Sequence, residues 1–213
     1  MVTTDGHRLS KVDVKVTGRQ ASATMLIPLK AIHELRRLCD EMMAEGMTGT
    51  GADGEKKKPE LLITQSGSSA FFQGAGMTFS VKLVDAQFPP YSQVIPQGAD
   101  KTVRAPRVAF ADALKAVSVA ASERTGGVKL SLTKGSMRIT SESPESGDGF
   151  DEIPVEYAGP NMSIGFNAKY FLDVLASLGD DEVVLGLSGE LDPAVLRPAG
   201  DAKFLAVVMP MRI

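Results

Sequence analysis

One cysteine, two histidines and no apolar run of membrane length set the first limits on this chain of 213 residues. Cys39 alone closes no internal disulfide, and with His7 and His33 it makes no cluster at zinc-ligand spacing. Apolar runs are broken by Lys, Asp or Pro far short of the roughly 20 residues that cross a bilayer. Met1 is followed by Thr3, Thr4 and Asp5 rather than by a basic and then apolar leader. The expectation is a cytoplasmic protein with no membrane partner. Positive charge is also short: 23 Lys and Arg stand against 26 Asp and Glu, a formal net charge of -3. That excludes a tight grip on nucleic acid through many phosphate contacts and leaves room for loose, local contact.

Catalytic signatures are missing too. No Ser or Cys sits in a nucleophile elbow, and no glycine loop leads into a helix in phosphate-binding form. The glycines of "GMTGTGADG" follow a helical pattern and precede a strand, the reverse of the order a dinucleotide loop needs. The one acid-base candidate is "DGHR", where Asp5, His7 and Arg8 would serve a hydrolase-like domain. Asp-Gly is first a turn signal, and a histidine two residues later is an ordinary loop residue. No enzyme, cofactor or metal is expected.

What is present is a globular composition, 43% hydrophobic and 23% charged, which fits one large domain or two smaller ones and excludes a disordered chain. Alternating and helical patterns succeed one another in three similar units. "SATMLIP" reads as a strand. Pro28 then opens a helix whose inward positions are Ile32, Leu35, Leu38, Cys39 and Met42, and "ELLITQ", "SAFFQ" and "MTFSVKLV" follow as strands. The second unit runs from "TVRA" through a helix after Pro106, with Phe110, Ala113, Leu114 and Val117 inward, to "VKLSLTK", "MRITSES" and "EIPVEYAG". The third runs from "MSIGF" through a helix after Asn167, with Phe171, Val174 and Leu175 inward, to "EVVLGLS", "AVLRP" and "FLAVVMPM". Ile32, Phe110 and Phe171 each lie four residues after Pro28, Pro106 and Asn167, so the registers agree. Residues 46–59, rich in Gly, Thr and Lys, read as a surface insertion in the first unit. The fold class is α+β, built from repeated β-α-β-β-β units.

Ahead of the first helix, "HRLSKVDVKV" alternates Leu9, Val12, Val14 and Val16 with polar residues, as a half-buried strand does. It reads as the last strand of an earlier unit, so the chain is expected to be a fragment, in which the second and third units make one complete domain from about Asp100 to Ile213. The terminal run "FLAVVMPMRI" places apolar residues where chains usually fray. Either it is the buried last strand of a sheet, or it lines a groove that another molecule fills. Lys30 and Arg37 share a helix face with Glu34 and Glu41, which reads as a solvated face with i,i+4 pairs. "SESPESGDGFDE" reads as a solvated acidic hairpin, or as a surface that meets something basic.

"TTDGHRLS", "FSVKLVDAQFPPY", "GFNAKYFLDVL" and "VVMPMRI", in this order, resemble the bacterial DNA polymerase III beta subunit, the sliding clamp. The resemblance implies the DNA clamp fold, with helices on one face of antiparallel sheets. It implies part of a second domain over residues 1–97 and a third domain over 98–213. In the intact ring such a protein encircles duplex DNA without reading its sequence. It docks the polymerase III catalytic subunit, the clamp loader and repair proteins through short linear peptides. The positions matching the peptide groove are Thr4, Gly6, His7, Arg8 and Leu9, then Pro89 and Val94, then Val207, Met209, Pro210, Met211 and Arg212. Those matching the DNA-facing surface are Lys30, Arg37, Asn167 and Tyr170, while Leu29 departs from the family's frequent Arg. A second protomer would meet Val119 and Ala120, on a helix ending near Arg124, and the acidic segment with Glu142 and Glu145. Methionine suits a shared docking site because its flexible, polarizable side chain repacks around different partners.

Overall fold

The computed structural model describes residues 1–16, 23–44, 60–74, 76–122, 125–144, 147–200 and 203–213. They fall into two compact units, Val16–Pro89 and a second made of Met1–Lys15 with Pro90–Ile213. Every strand pairing among the described residues is antiparallel.

In the larger unit the second repeat is β6 (Lys101–Pro106), α2 (Arg107–Ser118), β7 (Gly127–Thr133), β8 (Ser136–Ser143) and β9 (Gly147–Pro154). The third is β10 (Met162–Asn167), α3 (Ala168–Ser177), β11 (Glu182–Leu187), β12 (Ala194–Pro198) and β13 (Phe204–Val208). Each repeat lends its first strand to the other. β6 pairs with β11, and β10 pairs with β7. This exchange explains why the units come as pairs: an opening strand has nowhere to form its ladder until a second repeat supplies the sheet.

The hairpin of β1 (Val2–Thr4) and β2 (Arg8–Val12) adds to the free side of β13, giving a six-stranded sheet in the order β1-β2-β13-β12-β11-β6. The other sheet of this unit has the order β10-β7-β8-β9. Both sheets share one core with α2 and α3, at whose centre Phe171 meets Phe110 at 5.8 Å and Phe166 at 4.9 Å, each edge to face. The expected inward residues Phe110, Ala113, Leu114, Val117, Phe171, Val174 and Leu175 are all buried. Each helix begins where its strand ends. Pro106 caps α2 in an extended conformation, and Asn167 caps α3 by accepting the Lys169 N–H at 3.0 Å.

In the smaller unit α1 (Leu29–Ala44) precedes the sheet of β3 (Leu62–Ser66), β4 (Ser69–Gly74) and β5 (Met77–Lys82). Met42 and Ala31 are buried, whereas Ile32, Leu35, Leu38 and Cys39 are half-buried. Gly74 is where the buried Met42 closes on the sheet, since a Cβ there would lie 2.6 Å from its terminal methyl carbon. The expected strand at "SATMLIP" does not form over residues 23–28. The exchange between repeats gives the reason, because this unit holds no second repeat among the described residues for such a strand to join.

Three other expectations shift. The strand expected through Val16 stops at Val12, leaving Val14 and Val16 exposed. Its partner β13 begins at Phe204, and just beyond this pair the Asp13 N–H donates to the Lys203 carbonyl at 2.9 Å. The strand expected from Glu152 starts earlier, at Gly147, because the acidic segment itself pairs with β8. The helix expected to end near Arg124 ends at Ser118, so Val119 and Ala120 form the turn after it. The insertion at 46–59, Arg124 and Glu145 lie outside the described residues.

Candidate functional site

The turn "TDGHR" joins β1 to β2 and is fixed by its own side chains. Asp5 Oδ1 accepts the backbone N–H groups of His7 and Arg8, both at 3.0 Å. Thr4 Oγ1 accepts from the Gly6 N–H at 3.2 Å and donates to the Arg8 carbonyl at 2.8 Å. Gly6 has φ +87°, the left-handed region that a side chain would strain. Asp5 Oδ2 takes the Arg8 Nε at 3.1 Å, and Arg8 reaches across to Asp173 on α3.

Arg8 is thereby held between two carboxylates, with its guanidinium 4.7 Å over the Tyr170 ring. Burial acts to lower its pKa, but the hydrogen bonds and charges of Asp173 and Asp5 outweigh this and raise it. Burial likewise acts to raise the Asp5 pKa, and the two backbone N–H groups with the Arg8 contact pull it below its ordinary value of 3.8. His7 stacks loosely beside Tyr170, ring centroids 6.4 Å apart. The Asp5 carboxylate is thus spent on the turn and on Arg8 rather than on orienting the His7 imidazole. This arrangement gives the hydrolase-like reading no acid-base pair.

The tail continues the same edge. Met209 N–H donates to the His7 carbonyl at 2.9 Å, Pro210 has no N–H, and Met211 N–H donates to the Gly165 carbonyl at 2.9 Å. Residues 209–213 therefore leave the six-stranded sheet and cross onto β10 of the four-stranded one. Gly165 makes the crossing possible, since a Cβ there would stand 2.4 Å from the Met211 carbonyl oxygen. Met209, Pro210 and Met211 are half-buried, whereas Arg212 and Ile213 are exposed.

Beneath the turn, on the face of the six-stranded sheet away from the main core, Leu9, Val195, Leu205 and Val207 form a small buried cluster. Val2, Tyr91 and Ile95 pack against it. Thr4, Gly6, His7, Arg8, Leu9, Val207 and Met209 to Arg212 thus meet at one corner of the larger unit, and Val94, in the same unit, is 41% exposed. Pro89 is exposed and closes the smaller unit.

Tyr170 and Asp173 are brought to this corner by their i,i+3 spacing on α3. Asp173 was not legible as a site residue, although that spacing from Tyr170 was the available signal. Val195 and Leu205 carried a signal of another kind. An unbroken apolar run such as "FLAVV" marks a strand buried on both faces, and so implies an apolar surface beyond the main core.

The remaining candidates stand elsewhere. Lys30 is exposed on α1, and Arg37 sits between Glu34 at 3.0 Å and Glu41 at 3.5 Å. Asn167 spends its amide on the Thr125 carbonyl, at 3.0 Å, and on the helix cap. Val119 is 82% exposed, and Glu142 faces Asp148 across the β8–β9 hairpin. β9 is the edge strand of its sheet, and its exposed Phe150 lies 4.6 Å under the Arg138 guanidinium. Among the described residues no helix is long and apolar enough to cross a membrane.

The central-domain pattern of the DNA polymerase III beta subunit matches residues 1–90, and the C-terminal-domain pattern matches residues 92–212. The beta sliding clamp of Pseudomonas putida is 35% identical over 213 residues, and that of Escherichia coli K12 is 31% identical over the same length. In both cases the whole chain aligns with 54% of the relative, so it spans about half the length of these curated relatives. The crystal structure of a Pseudomonas aeruginosa sliding clamp with ligand superposes with a TM-score of 0.87 at 32% identity, covering 100% of this chain and 54% of that one. A Bartonella birtlesii clamp bound to griselimycin gives 0.87 at 33% identity, with 100% and 54% covered. With two consecutive family domains matched along nearly its whole length, the chain belongs to the DNA polymerase III beta subunit family.

Proposed function

We propose that this chain is the peptide-docking portion of a replication processivity clamp. Its corner of turn and tail receives short linear segments of the polymerase III catalytic subunit, the clamp loader and repair proteins. The observation that carries the reading is the meeting of "TDGHRL" with "VVMPMR" over the apolar cluster of Leu9, Val195, Leu205 and Val207. Half-buried Met209, Pro210 and Met211 supply adaptable apolar contacts, the buried cluster holds together the strands that carry turn and tail, and Arg8, His7 and Arg212 stand at a polar rim. The family's clamp structure with griselimycin supports a ligand-binding role for this class of protein.

The chain then comprises part of a second clamp domain, residues 1–97, and a third, residues 98–213. In the intact ring Lys30, Arg37, Asn167 and Tyr170 face the encircled duplex. A second protomer meets Val119, Ala120 and the acidic hairpin with Glu142 and Glu145. The protein does its work in the cytoplasm and performs no chemistry. Contact with DNA is loose because a ring is retained by its topology, while tight phosphate binding would stop it sliding. Linear duplex accordingly binds weakly, with strong salt dependence and no sequence preference.

Calorimetry with a peptide copied from the docking segment of the polymerase III catalytic subunit tests the reading. Met209→Ala removes an apolar wall residue and is expected to weaken binding by about 1 to 2 kcal/mol. Unchanged affinity in that variant would contradict the assignment of the groove.

A further inference from the structure

Residues 209–213 are held to the larger unit by backbone bonds and by a side chain. The bonds run from Met209 N–H to the His7 carbonyl and from Met211 N–H to the Gly165 carbonyl, both at 2.9 Å. The side chain is that of Ile213, which rests on two glycines of the four-stranded sheet. Gly165 lies between the buried Ile164 and Phe166 on β10, and Gly127 precedes the buried Val128 on β7. Alternation therefore puts both glycines on the sheet face away from the core. The register sets Gly127 opposite Asn167, two residues along from Gly165, so the glycines are diagonal neighbours.

Together they form a notch. A Cβ at Gly165 would stand 2.7 Å from Ile213 Cγ1 and 2.8 Å from its Cδ1. One at Gly127 would stand 3.4 Å from Ile213 Cδ1 and 3.6 Å from the Met211 terminal methyl, so the two side chains share the space above Gly127. Ile213 is nevertheless 59% exposed, and its contact adds little to the stability of the core. It acts on the strap itself. Between the His7 bond and the notch lie Met209, Pro210 and Met211, and Pro210 has no N–H with which to add a rung. A stretch held by so few bonds opens locally while the core stays closed.

We infer that Ile213 is a positioning residue for peptide docking: seated in the notch of Gly127 and Gly165, it holds Met209 to Met211 against β10 in the arrangement that receives the peptide. The inference rests on the proposed docking function. It gives the strap a closed and an open arrangement, with Ile213 setting the share of closed chains without touching the peptide. Where only a fraction of chains is competent, apparent affinity falls by that fraction. The loss falls on association, because a docked peptide holds the strap closed and leaves at its usual rate.

Stopped-flow binding of a fluorescent peptide, copied from the docking segment of the polymerase III catalytic subunit, to the full chain tests this. Ile213→Ala is expected to lower the association rate about five-fold and to leave the dissociation rate unchanged. Its denaturant unfolding should match that of the unaltered chain, while the Met211 amide loses its protection from hydrogen exchange. Ile213→Leu should restore both the rate and the protection. Gly127→Val, which fills the notch from the sheet side, should reproduce the slow association. Unchanged rates in Ile213→Ala would overturn the positioning role and leave the docking corner standing, whereas failure of the peptide to bind the unaltered chain would remove both. Faster dissociation with unchanged association would show that Ile213 touches the peptide and contradict the inference. A loss of unfolding stability that accounts for the loss of binding would reduce Ile213 to a structural role and refute it as well.

Discussion

The helices Leu29–Ala44 and Ala168–Ser177 open with the same register and end in different surroundings. Phe171 is fully buried and meets Phe110 of the neighbouring repeat, whereas Ile32, at the matching position, is only half-buried. The local code is equivalent in both. What differs is whether a second repeat stands opposite, exchanging opening strands and closing the core. Amphipathic pattern therefore sets where a helix forms and which face turns inward, while the degree of burial is decided by the partner repeat. The strand ladders show the same contrast, because β6 and β10 are paired while residues 23–28 form no strand.

Paired alanine substitutions give the largest effect. Phe171→Ala leaves a cavity in a closed core and is expected to cost about 3–5 kcal/mol in denaturant unfolding. Ile32→Ala should cost about 1 kcal/mol, since much of its surface already meets solvent. Equal costs would break the comparison. The next effect concerns the crossing of the tail between sheets, a feature of the larger unit alone. Gly165→Ala is expected to push residues 211–213 off β10 and cost about 1–3 kcal/mol. Carboxypeptidase should then release Ile213 faster than from the unaltered chain. Gly127→Ala should do less, since its Cβ would lie 3.4 Å from the movable end of Ile213.

A smaller effect lies in the turn. The Asp5 pKa is below its ordinary 3.8 in the folded chain, so the stability its ionised form contributes is present above that value. It is lost as pH falls through 3.8 and on toward the lower folded value. Amide exchange at His7 and Arg8, corrected for intrinsic rates, should accelerate in that acidic window. In Asp5→Asn it should lack this pH dependence. The smallest effect belongs to α1, where Arg37→Ala removes exposed ion pairs with Glu34 and Glu41 and should change stability by less than about 0.5 kcal/mol.

Much of this was legible in the sequence for identifiable reasons. The repeat register, the strands of the second and third units and the inward faces of α2 and α3 follow from apolar periodicity, which reports burial directly. Pattern failed where pairing depends on a distant segment. Val14 and Val16 alternate like strand residues, yet β2 ends at Val12, opposite Phe204 where β13 begins. The early start of β9 was hidden because Asp148, Asp151 and Glu152 have low strand preference and are held by register with β8, with Arg138 opposite Glu152. At the candidate site the turn was legible from Asp-Gly. The clasp of Arg8 by Asp173 was not, because it joins segments far apart in the chain. The contact of Arg8 with the Tyr170 ring was hidden for the same reason.

The central claim is that turn and tail together form a peptide-docking corner. Its most direct test is calorimetric titration of the polymerase III docking peptide into the full chain and into a chain lacking residues 209–213. Strands β12 and β13, with the cluster beneath them, remain in the shortened chain, so circular dichroism should show the fold retained. The account predicts that binding is abolished in the shortened, folded chain. Equal affinity for the two chains would contradict it.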